Sequence, residues 1–79
     1  MRKSREAYSL IEDLLQNRSS YFSKGALNSE GRKLVARLLK IMAELSPRHF
    51  ARLKRLYPFA AEERWVEVLI ELREELLQL

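Results

Sequence analysis

A chain of 79 residues with no cysteine and a single histidine excludes disulfides, thiolate metal sites and His-rich metal clusters, so packing and association must hold its thin core. Apolar residues are 47% and charged residues 33%, which excludes disorder, and no apolar run is long enough to span a membrane. The net charge is +4, and its distribution along the chain matters more than its sum.

Two glycines and two prolines are too few for the many turns of an all-β domain, so helices are predicted throughout one domain, residues 1–79. The opening MRKSREAYSLIEDLL is basic and then apolar. Glu6, Glu12 and Asp13 interrupt it, so no export signal is expected and a cytoplasmic setting is. Ala7, Leu10, Ile11, Leu14 and Leu15 recur at helical spacing, which predicts a helix over residues 3–17. Ser19-Ser20 loosens the pattern before Gly25 stops it, so this stretch is one bent helix or two.

A second helix is predicted over 29–45, capped by Asn28 or Ser29. Leu34, Val35, Leu38, Ile41, Met42 and Leu45 form its apolar stripe, and Lys33, Arg37 and Lys40 lie opposite. A third follows in SPRHFARLKRLY. Ser46 suits the N-cap and Pro47 the first helical position, where its missing N–H costs nothing. Phe50, Leu53 and Tyr57 share one side, and Arg48, Arg52 and Arg55 the other. Pro58 ends the helix, because the residue before a proline avoids the helical region.

The fourth helix starts near Ala60 or Ala61, with Glu62 and Glu63 favouring its positive end. Trp65, Leu69, Leu72, Leu76 and Leu79 follow a heptad-like seam. Val66, Ile70 and Leu77 widen it to an arc of roughly 200°, about twice the usual width. Such an arc predicts that Trp65, Leu69, Leu72, Leu76 and Leu79 meet another protein, most simply a second copy.

Charge sets two of these segments against each other. Arg32 to Arg55 holds eight basic residues and one acid, Glu44, whereas Glu62 to Glu75 holds six acids and two arginines. Either a polyanion meets the basic face, or the two segments pair internally. On the first reading Arg48, His49, Arg52 and Arg55 face a DNA groove, where arginine's planar fork matches guanine O6 and N7. Lys33, Arg37 and Lys40 then reach phosphates. The aromatic residues are expected in the core. Catalysis has thin support. Ser46 and His49 are three apart, but no third residue is seen to orient the imidazole, and Ser46 is explained as a cap. Gly25 and Gly31 are isolated, so no phosphate loop exists.

The stretch LSPRHFARLKR resembles the second helix of a helix-turn-helix in AraC-type transcription regulators, where Ser-Pro-Arg opens the reading helix. The likeness runs on through RWVEVLIELREELL and covers residues 43–77. Glu44 stands where that family has a turn glycine, Lys40 where it has a small residue, and Lys54 in place of a core phenylalanine. Phe59 sits near a second expected glycine. In another part of the chain, QNRSSYF, SEGRKL and KIMAEL are similar to blocks of the AsiA-type anti-sigma factors of phage. The matching residues are Asn17, Arg18, Phe22, Glu30, Gly31, Arg32, Lys33, Leu34, Lys40, Ile41, Glu44 and Leu45. That resemblance implies a small helical binder of an RNA polymerase sigma factor, although those proteins are acidic where this chain is basic.

The expectation is an all-α, compact bundle of four or five short helices, helix-turn-helix-like and dimeric. Its function reads as a non-enzymatic, transcription-type regulator of phage or bacterial kind, contacting double-stranded DNA through residues 46–57. The alternative is a protein-binding regulator or adaptor, anti-sigma-like or an inhibitor or chaperone, that uses an apolar helical surface without DNA. No cofactor, metal, membrane or small-molecule substrate is expected.

Overall fold

The computed structural model describes residues 2–78. In chain order the elements are α1 (Arg2–Gln16), α2 (Arg18–Tyr21), β1 (Phe22–Ser23), β2 (Ala26–Leu27), α3 (Ser29–Leu45), α4 (Pro47–Leu56) and α5 (Glu62–Leu76). This is the predicted all-α bundle, with one addition. The first stretch divides into α1 and the single turn α2. A hairpin then pairs Phe22 with Leu27 and Ser23 with Ala26. Its two-residue turn, Lys24-Gly25, has φ of 53° and 79°, the positive values that match the twist of tightly joined strands. Phe22 and Leu27 are both buried, so the hairpin serves the core.

Asn28 organises the next junction. Its side-chain oxygen accepts from the Gly31 N–H at 2.8 Å, and its amide donates to the Ser20 carbonyl at 3.0 Å. Its backbone N–H donates to the Tyr21 carbonyl at 3.0 Å. One residue thus caps α3 and ties it to α2. Asn28→Ala is expected to cost about 1–2 kcal/mol, read as a lowered midpoint in urea denaturation.

Ion pairs fix the helix directions. Lys3 pairs with Glu44, so the start of α1 meets the end of α3. Arg18 pairs with Glu62 and Arg73 with Glu12, each at 2.8 Å, so α5 also runs antiparallel to α1. Arg48 meets Glu75 and Arg52 meets Glu71, so α4 runs antiparallel to α5. The helices pack in a ring: α1 on α3, α3 on α4, α4 on α5, and α5 on α1. Inside lie Leu10, Ile11, Leu14, Val35, Leu38, Met42, Leu53, Trp65, Leu69 and Leu72.

Ring closure corrects the reading of the last helix. Trp65, Leu69, Leu72 and Leu76, expected to meet a partner, are only 0%, 0%, 2% and 7% exposed within this one chain. A helix flanked by α1 on one side and α4 on the other buries a wider arc than one lying on a single layer. Leu79 lies outside the described residues. What remains open on α5 is smaller: Ile70 and Leu77 are exposed and Val66 is half-buried.

Candidate functional site

Only one residue, Ser46, separates α3 from α4, which is shorter than the three or four residues of a usual helix-turn-helix. Leu53 is the fully buried residue of α4, with Phe50, Leu56 and Tyr57 packed partly against the core. Pro47, Arg48, Ala51, Lys54 and Arg55 make its exposed face. Lys54 lies 5.5 Å from the centre of the Phe50 ring, so its stem covers an aromatic edge while its charge stays in water.

The predicted base-reading residues separate into three groups. Arg48 donates to Glu75 at 3.2 Å, and Arg52 donates to Glu71. Two successive turns of the basic segment therefore engage the acidic segment of the same chain. His49 is turned inward and is only 14% exposed, with both ring nitrogens in hydrogen bonds. It does not face a groove, because an imidazole flanked by Ser46 and Glu75 is better satisfied inside. Arg55 stays exposed and outside the ion pairs among the described residues. On α3, Lys33 pairs with Glu30 at 3.2 Å. Arg37 and Lys40 are exposed, again outside the ion pairs among the described residues. Exposed pairs contribute only about 0–1 kcal/mol, so Arg48, Arg52 and Lys33 can exchange their partners readily.

Ser46 occupies the N-cap position but does not cap. Its hydroxyl instead lies 2.8 Å from His49 Nδ1. Nε2 of the same ring lies 2.9 Å from Glu75 Oε2. Glu75 is the orienting residue that the sequence did not reveal, because it reaches His49 only through the antiparallel register of α4 and α5. The three border an open cavity of about 390 Å³, where the end of α3, the start of α4 and the end of α5 converge. Met42, Leu45, Leu72 and Leu76 supply its apolar lining.

The His49 hydrogen bond, reinforced by the charges of Arg48 and Arg52, holds the Glu75 carboxyl below its usual range, although partial desolvation opposes this. A depressed carboxylate contributes stability that is fully present above its unfolded value. That contribution is lost as pH falls through the lower folded value. The melting temperature should therefore fall on acidification below about pH 4.5. Glu75→Gln should flatten this acid limb, as read by circular dichroism melts over that range.

Among the described residues no cluster of three His, Cys, Asp or Glu side chains is placed to hold a metal. No described helix is long and apolar enough to cross a membrane. Comparison with protein-family models, curated proteins and solved structures found no match to this chain.

Proposed function

We propose that the chain is a small regulator that docks on the phosphate backbone of double-stranded DNA through the outer faces of α3 and α4. The observation that supports this reading is the charge left over once the ion pairs are made. Arg37 and Lys40 on α3, and Lys54 and Arg55 on α4, project from neighbouring walls of the bundle and are exposed. The acids of that region, Glu30 and Glu44, are each paired with a lysine. A surface of exposed cations suits phosphates, which supply affinity with little sequence preference. Arg48 and Arg52 are held by Glu75 and Glu71 and add to the contact only when those pairs are released. Base reading by His49 is not part of this proposal.

The test is anisotropy of a labelled duplex. Changing Arg37, Lys40, Lys54 and Arg55 together to Gln should abolish binding while leaving the melting curve close to wild type, since all four are exposed. Undiminished binding by the folded quadruple variant would remove the DNA reading.

A second reading rests on Val66, Ile70 and Leu77, which share one face of α5 with Glu63, Glu67 and Glu74 by helical spacing. Ile70 and Leu77 are 41% and 63% exposed. This face suits a partner protein or a second copy. If it forms a dimer, sedimentation will show concentration-dependent association that Ile70→Glu and Leu77→Glu abolish. A monomer at every concentration leaves only a different partner for this face.

A further inference from the structure

We infer that Ser46, His49 and Glu75 form a hydrolytic site for short-chain carboxylic esters, a role separate from the DNA contact. The protonation pattern follows from the geometry. Glu75, held in its ionised form, accepts a hydrogen bond from Nε2 at 2.9 Å, which places the ring proton there. Nδ1 is then an acceptor, and the Ser46 hydroxyl donates to it at 2.8 Å. A hydroxyl donating to an imidazole whose far side donates to a carboxylate is the arrangement that activates a serine.

The surroundings fit the chemistry. Ser46 precedes α4, whose first-turn N–H groups at Arg48 and His49 have no side-chain cap. Pro47 supplies no N–H, so these two are the first backbone donors of the helix. They open the helix directly after Ser46 and are free to meet an oxyanion formed at this end of α4. Behind the serine, Leu45, Leu72 and Leu76 offer an apolar seat for an acyl chain within about 390 Å³.

In the first step Ser46 Oγ bonds to the ester carbonyl carbon and its proton passes to His49 Nδ1. The carbonyl oxygen becomes the oxyanion held by the first-turn N–H groups. The bond to the leaving oxygen then breaks, and His49 returns the proton to the departing alcohol. In the second step water attacks the acyl-serine, giving a proton to Nδ1, which passes to Ser46 Oγ as the acid leaves. One ester and one water become one acid and one alcohol. Ser46 and His49 are the catalytic residues, and Glu75 is a positioning residue.

The intact protein is treated with p-nitrophenyl butyrate and, separately, with a fluorophosphonate, and the adduct is mapped by mass spectrometry. The expected adduct is on Ser46 and is absent from Ser46→Ala. His49→Gln should slow acylation by roughly 100-fold or more. Glu75→Gln should lower kcat for the ester with KM little changed, because the ring loses the partner of Nε2, with helicity unchanged by circular dichroism. Failure of the fluorophosphonate to label Ser46 in the folded wild-type protein would overturn the site, as would equal ester turnover by a folded Ser46→Ala. An unchanged kcat in a folded Glu75→Gln would overturn the part given to Glu75.

Discussion

Gly31→Ala is expected to destabilise the protein by about 2–4 kcal/mol, although the same change in an open helix is stabilising by about 1 kcal/mol. The sign reverses because of what faces the missing side chain. A Cβ at Gly31 would stand 2.2 Å from the Tyr21 carbonyl oxygen and 2.8 Å from a methyl of Leu27. The methyl can turn away, but the carbonyl cannot. It already accepts the Asn28 backbone N–H, and Asn28 in turn caps the helix that carries Gly31. Relieving the clash therefore pulls α3 off α2 and strains the capping network as well. Urea denaturation should show a clearly lower midpoint for Gly31→Ala. A variant as stable as wild type would mean that α3 does not approach α2 this closely.

Trp65→Ala should cost still more, about 3–5 kcal/mol. Trp65 is 0% exposed, and on helix α5 it lies in the same core as Leu10, Leu14 and Leu38. A domain of this size has a total stability of roughly 4–12 kcal/mol, so the variant should be largely unfolded at physiological temperature. Trp65→Phe should be much milder. The indole Nε1 is buried without a hydrogen-bond partner, so removing it forfeits no bond and relieves an unsatisfied donor. Comparable melts for Trp65→Ala and wild type would contradict the placement of α5 in the ring.

The helices were legible because each carries its own local signal. Asn28 followed by the Leu34–Leu45 stripe is a complete helix description, and α3 runs from Ser29 to Leu45 as that pattern predicts. Pro47 and Pro58 likewise bracket α4. The hairpin was not legible, since two residues per strand are too few to show alternation. Lys24-Gly25 was its one sequence trace, and it read there only as a helix stop. The width of the α5 arc was read correctly, but its meaning was not. Periodicity says how much of a helix is apolar, and not how many neighbours this chain itself will supply. The same limit hid Glu75. Ser46 and His49 are adjacent on one turn, whereas their partnership with Glu75 depends on how α4 and α5 are aligned. The charge asymmetry allowed either internal pairing or an external polyanion. The structure shows Arg48 and Arg52 paired internally, so a DNA contact falls first to Arg37, Lys40, Lys54 and Arg55, which stand outside the ion pairs among the described residues.

The most direct measurement of the central functional claim is the affinity of wild type and Glu71→Gln for one labelled duplex across a salt series. Four phosphate contacts predict that log K falls against log salt with a slope of roughly −3 to −4. Glu71→Gln removes an acid and releases Arg52 from its pair, so it should bind severalfold more tightly at low salt and show a steeper slope. Absence of binding at low salt, or an affinity indifferent to salt and to Glu71→Gln, would contradict the account.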